Sequence, residues 1–199
     1  MTFNDRATPL SLLSTRRSAK ARDLVAPAPD AGELAHILEI AARTPDHGKL
    51  APWRFVVVPA AARDALAAGI IDAYRAEKPE AGRLEIEAMD QFARQAPALV
   101  VVLASPKVES HIPLWEQELS AGAAAMNLLH AVHASGYAGS WLTGWAAYSD
   151  RVRDLFGAAP ERIAGFVFIG TPGKPLDERP RPDMARVAST WAGTATDGN

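Results

Sequence analysis

The chain has 199 residues, 21 basic and 23 acidic side chains, a formal net charge of -2 and no cysteine. That length suits one domain with a sizeable core, and charges so evenly interspersed argue against nucleic acid or a membrane surface as a general partner. Without cysteine there is no disulfide, iron–sulfur ligation or thiol nucleophile, so redox chemistry needs a borrowed cofactor, and the composition fits a cytoplasmic setting.

The first twenty residues, MTFNDRATPLSLLSTRRSAK, lack the apolar stretch of a secretory signal, so no targeting segment is expected. Leu10 to Thr15 predicts a short helix that runs into Arg16-Arg17-Ser18-Ala19-Lys20-Ala21-Arg22, four cations in seven residues. This string reads either as a solvated helix end, where cations complement the C-terminal dipole, or as an anion site with Ser18 as an added donor. Val25 to Pro29 reads as an extended connector. Asp30 with Glu33 predicts a capping box opening a helix over Ala31 to Ala42, along which Leu34, Ile37, Leu38 and Ala41 recur at helical spacing. In Arg43 to Phe55, RTPDHGKLAPWRF, Pro45 and Pro52 stop regular structure, while Asp46, His47, Gly48 and Lys49 bring charge, a titratable ring and an open backbone. Alone, this stretch reads as a surface turn with incidental charges, and a case for function has to come from elsewhere in the chain. Trp53 to Val58 predicts a buried strand ended by Pro59.

Ala60 to Ala76 and Glu80 to Arg94 predict two helices, each charged on one side and suited to covering a sheet. Ala98 to Ala104, ALVVVLA, predicts a central strand. After a loop over Ser105 to Pro113, Trp115 to Ser135 predicts the longest helix, ending at Gly136. Its most apolar window, Leu119 to Val132, includes Asn127 and His130 and is too short to cross a bilayer. The small residues Ser120 to Ala125 predict a close packing surface. His130 and His133 stand three apart with no third ligand at a suitable spacing, so no metal is expected. Tyr137 to Thr143 predicts a strand leading into Gly144, Ser149 opens a short helix closed by Gly157, and Ile163 to Gly170 is the last clear strand. Thr171 to Pro175 breaks it, and Arg179-Pro180-Arg181-Pro182 continues as an extended cationic tail. Val187 to Trp191 is apolar enough to dock, and residues 192–199 are expected to be disordered, which leaves a single domain over 1–191. Strands interspersed with five or more helices predict a three-layer mixed α/β arrangement. No glycine fingerprint follows Val58, and neither a P-loop nor a nucleophile elbow occurs.

Taken jointly and in order, RRSAKAR, TPDH followed by PWRF, WEQELSAGAAAMN, SWLTG and GTPGKP, from Leu10 to Arg181, resemble the nitroreductase family, in particular its short single-domain branch. The resemblance implies an α+β, three-layer fold with a mixed central sheet wrapped by helices. It also implies an FMN-dependent oxidoreductase that forms a homodimer with flavin sites at the subunit interface. By the same resemblance, Arg16, Arg17 and Ser18 hold the flavin phosphate and ribityl chain, and Lys20 faces the N1 and C2 carbonyl edge of the ring. Arg43 and His47 contact FMN, in some members from the partner subunit. The backbone of Leu142, Thr143 and Gly144 meets the ring near N5, and Arg181, slightly preferred over Arg179, reaches the phosphate. Guanidinium and hydroxyl donors suit a phosphate dianion, and a cation near N1 favours the reduced flavin. Ala51 departs from the Gln that many relatives carry before the Pro-Trp pair. The implied cycle is ping-pong: NADH or NADPH delivers hydride to flavin N5, then an electron-poor acceptor such as a nitroaromatic or quinone takes the electrons. His47 serves as a flavin contact or a proton donor. Two alternatives remain open: FMN storage or sensing without turnover, and reductive dehalogenation or desaturation of a specific metabolite.

Overall fold

Strand β3, Ala98–Ala104, organises the fold because apolar residues occupy both of its faces. Leu99, Val101 and Leu103 belong to one buried cluster, while Val100 and Val102 belong to a second on the opposite side. The computed structural model describes residues 2–193, so the expected disordered tail lies, from residue 194 onward, outside the described residues. Strand β5, Arg162–Pro172, repeats the alternation of β3, with Phe166 and Phe168 in the first cluster and Val167 and Ile169 in the second. Such two-sided burial requires cover on both faces.

The sheet runs β2 (Trp53–Val58), β3, β5, β4 (Ala138–Leu142), and β1 (Leu24–Val25) pairs with the C-terminal end of β5. Leu142 stands opposite Phe166 and Ala138 opposite Gly170, while Leu24 stands opposite Pro172. Every pairing among the described residues is antiparallel, which corrects the expected mixed sheet. The cause is in the connections. Two helices, α3 (Arg63–Glu77) and α4 (Arg83–Arg94), join β2 to β3, so the chain goes out and back and re-enters the sheet reversed. Only the single long helix α5, Leu114–Ala134, separates β3 from β4, so these two strands share a direction, but β5 lies between them.

Helices α3 and α4 cover the first face through Leu66, Ile70, Ala73 and Ala93. Phe92 meets Phe166 and Phe168 edge-on, with ring centres 5.0 and 5.4 Å apart. The short helices α6 (Trp145–Tyr148) and α7 (Asp150–Arg153) add Ala146, Ala147 and Val152 to this layer. Helix α2, Ala31–Ala41, and α5 cover the second face with Leu34, Ile37, Leu128 and Val132. The result is the expected three layers.

The capping box that opens α2 is formed as expected: Glu33 N–H donates to Asp30 Oδ1 at 2.8 Å and Asp30 N–H to Glu33 Oε2 at 3.0 Å. The run Trp53 to Val58 is an edge strand, not a buried one, and Val57 keeps 42% of its surface exposed. Strand β5 runs two residues beyond Gly170 because Thr171 and Pro172 pair with the β1 residues expected to be a connector. Ser149 caps α7 by accepting from Val152 N–H at 3.2 Å. Helix α1, Pro9–Thr15, precedes the cationic string, and α8, Met184–Val187, lies in the tail. Val187 and Trp191, expected to dock, are exposed on this chain. Among the described residues no helix is long and apolar enough to cross a membrane.

Candidate active site

Helix α1 stops at Arg16, where ψ opens to 129°, and the chain continues without helix as far as Lys20. Successive side chains of extended backbone point to opposite sides. Burial alternates accordingly: Arg17, Ala19 and Ala21 are buried, while Arg16 and Ser18 are half-buried and Lys20 is exposed. The string is therefore two rows. One is a polar row, in which Arg16 Nη1 donates to Ser18 Oγ at 3.3 Å. The other is an inner row containing Arg17, only 5% exposed, whose guanidinium donates to its neighbour's carbonyl, Arg16 O, at 2.7 Å, lies over the Phe3 ring and pairs with Glu178.

Among the described residues no carboxylate pairs with Arg16. Burial, followed by the charges of Arg181 and Arg17, pushes its pKa below the usual guanidinium value. A half-buried cation in that state is poised for an anion. The tail supplies further cations by folding back along this segment. Lys174 Nζ pairs with Asp23 Oδ1 at 2.8 Å, Gly173 N–H donates to Asp23 O at 2.8 Å, and Leu176 packs on the core. A cavity of about 160 Å³ results, lined by Ser18, Lys20, Lys174 and Arg179 among others. Arg179 thus faces Ser18 and Lys20, whereas Arg181 acts on Arg16.

Leu142 ends β4 opposite Phe166 of β5, and Thr143 and Gly144 continue from it. Thr143 and Gly144 are exposed. Gly144 has φ of 82°, favourable to glycine, and a β-carbon there would meet nothing within 4 Å, so its backbone is open to a ligand. The segment behind it is braced by Glu77, which accepts from Trp145 Nε1 at 3.1 Å and from Ser149 Oγ at 2.6 Å.

The loop after α2 is held elsewhere. His47 Nδ1 lies 2.8 Å from Glu116 Oε2, and Ser120 Oγ donates to Pro45 O at 3.2 Å, both near the start of α5. Ala51 adopts φ of 46°, and its N–H donates to Asp46 Oδ2 at 2.6 Å, so the residue that departs from the family pattern helps close the turn. Arg43 shares a cavity of about 420 Å³ with Asn127 and His130. Burial and the charge of Arg16 lower the pKa of His130, which places Arg16 near the far end of α5. Glu116 and His130 are fourteen residues apart on that helix, roughly 21 Å at 1.5 Å per residue. Within one chain, then, Arg16, Ser18, Lys20, Arg179 and Arg181 come together, while His47 is held near the opposite end of α5. Glu77, Glu116 and Glu178 carried no signal in the sequence, because each meets its partner across 68 or more residues.

The described residues thus present a cationic row, Arg16, Ser18 and Lys20, backed by cations of the tail, and separately an open glycine turn at Gly144, an arrangement suited to an anionic ligand. The comparisons with known proteins make that reading specific. Residues 13–171 match the Nitroreductase family, and the chain belongs to it. It is 35% identical over 164 residues to the Escherichia coli (strain K12) protein named "Putative NAD(P)H nitroreductase YdjA", covering 82% of this chain and 87% of that one. A nitroreductase-like family protein from Bacillus cereus shares the fold with a TM-score of 0.77 at 21% identity, over 97% of this chain and all of that one. A nitroreductase from Desulfovibrio desulfuricans, solved in complex with FMN, superposes with a TM-score of 0.69 at 22% identity, over 94% and 98% of the two chains.

Proposed function

We propose that the protein is an FMN-dependent NAD(P)H oxidoreductase of nitroreductase type, passing electrons to an electron-poor small molecule such as a nitroaromatic or quinone. The observation that carries the reading is Arg16, half-buried, lacking a carboxylate partner among the described residues and depressed in pKa by burial first and then by the charges of Arg181 and Arg17. The residues present fit the cofactor. Arg16, Ser18 and Arg181 would hold its phosphate, Lys20 and Arg179 offer cations beside it, and the backbone of Thr143 and Gly144 is free to donate to the ring edge. When bound, FMN supplies hydride transfer between a nicotinamide donor and the acceptor.

The side chains position and solvate; none need act as nucleophile. Glu116 orients His47: with the Nδ1 proton directed at the carboxylate, Nε2 is left on the exposed side, available to hold or deliver a proton. The separation of His47 from the cationic row supports a homodimer in which the His47 loop of one copy completes the site of the other. Arg43 lies between these two regions and belongs to the same proposed wall.

The test is a visible spectrum of protein purified with FMN, followed by anaerobic addition of NADPH and NADH. A flavin band that bleaches is expected. Absence of both the band and FMN binding would sink the reading. Arg16→Ala is expected to weaken FMN binding about tenfold or more, the scale of one charge-assisted contact.

A further inference from the structure

Asp23 and Asp177 line the cavity with the cations, but Glu178 is the acid that bonds the inner row, and a single oxygen does most of its work. Its Oε1 pairs with Nη2 of the buried Arg17, accepts the Arg179 N–H at 2.8 Å, and lies 3.9 Å from Arg181 Nε. The first two contacts are hydrogen bonds: the Arg17 bond pins the tail to the inner row of the cationic string, and the Arg179 bond fixes the carboxylate within the tail. The third is too long for a hydrogen bond. Arg181 is therefore held only by charge and is free to change partners, and it is also, with Arg17, a cation whose field reaches Arg16. Arg17 keeps a spare donor as well, since its buried Nε has no partner among the described residues.

These contacts give the carboxylate two opposed effects. By bonding Arg17 and the backbone of Arg179, it brings the tail, with Arg179 and Arg181, up to Ser18 and Lys20. By its charge, it competes for Arg181 and repels any other anion brought to the cluster. We propose that Glu178 is an affinity-setting residue that anchors the tail while its negative charge weakens the hold of Arg16 and Arg181 on the cofactor phosphate. The inference rests on the FMN reading above. It predicts that the charge and the hydrogen bonds of Glu178 can be separated. Gln retains an oxygen to accept from Arg17 and Arg179 N–H but carries no charge, whereas Ala removes both.

The experiment is a titration of the full-length apoprotein with FMN and with riboflavin, followed by flavin fluorescence at low ionic strength, for the wild type, Glu178→Gln and Glu178→Ala. Glu178→Gln is expected to bind FMN about tenfold more tightly, as for relief of one close charge interaction. Riboflavin, which lacks the phosphate, should bind Glu178→Gln and wild type equally, and Glu178→Ala should hold FMN less tightly than Glu178→Gln. Thermal unfolding gives an independent reading, with a larger FMN-induced rise in Tm for Glu178→Gln than for the wild type. Equal or weaker FMN binding by a folded Glu178→Gln, while the wild type binds FMN, overturns the inference and leaves the function reading standing. Equal tightening towards riboflavin also overturns it, because the charge would not be acting on the phosphate. Failure of every variant and the wild type to bind FMN overturns both readings.

Discussion

His133 offers a test of how the core is built that does not depend on any ligand. It is fully buried on α5, with Gly139 N–H 3.5 Å from Nε2 and no partner for Nδ1 among the described residues. Burial first, then the charges of Arg16 and His130, push its pKa down from 6.5 to about 3, against a smaller upward effect of Tyr137. The unfolded chain therefore takes up this proton below about pH 6.5, whereas the folded protein refuses it until about pH 3. Stability tied to His133 is complete above pH 6.5 and is lost as the pH falls toward 3, at about 1.36 kcal/mol per unit. Between pH 7.5 and 4.5 that loss is about 2.7 kcal/mol, a sizeable share of the stability of an ordinary domain. In His133→Gln, an amide oxygen replaces Nε2 as acceptor and nothing titrates. Urea unfolding at fixed protein concentration, repeated from pH 7.5 to 4.5, should give a curve for the variant that is flatter by that amount. The carboxyls of Asp23, Glu85, Glu161 and Glu178, all held low, lose their contributions only at more acid pH. His130, whose pKa is also lowered, contributes in the interval from 6.5 to 5 but is common to both proteins, so the difference between the two curves there is diagnostic, and parallel curves would refute the assignment of acid sensitivity to His133.

Two further substitutions probe the frame and the His47 loop. Arg63 is buried and donates to the carbonyls of Val58 at 3.3 Å, Ala93 at 2.8 Å and Gln95 at 3.2 Å, tying the end of β2 to the end of α4. Arg63→Met leaves those carbonyls without their donor and should cost about 2–4 kcal/mol in chemical denaturation, so a loss under about 1 kcal/mol would contradict that role. Glu116→Gln should leave the fold intact and reduce acceptor turnover in the same direction as His47→Asn. The double variant should be little worse than either single one, as expected of residues acting as a unit, and additive losses in steady-state kinetics would separate the two.

The long helices were legible because each carries a periodic apolar pattern over many residues, and β3 because its apolar run is unbroken. β1 was not, since two residues carry no pattern and only the register with Thr171 and Pro172 makes them a strand. The antiparallel sheet was hidden for a related reason: strand direction depends on whether the helices between two strands return the chain to its starting end, as α3 and α4 do together. Trp53 to Val58 read as buried because its composition is apolar, but exposure follows from its place at the sheet edge, which composition does not encode.

The cationic string makes the sharper case. Its residue types announce an anion site, and the resemblance assigns Arg16 and Arg17 to it as equals, yet their environments differ because they are adjacent in extended backbone. Had the helix continued, both guanidinium groups could have swung to one side; because α1 stops at Arg16, parity sends Arg16, Ser18 and Lys20 one way and Arg17, Ala19 and Ala21 the other. That alternation is present in R-R-S-A-K-A itself, small residues at every second position after Arg17, and it marks Arg17 as the inner cation. What parity cannot supply is the inner partner: Glu178 lies 161 residues away, and only the return of the tail along Lys20 to Asp23 brings it there. The polar row is thus set by local backbone, and the net charge of the cluster around it by a long-range contact with the inner row. A change in the tail should therefore alter affinity for a phosphate without touching any residue in the row that receives it.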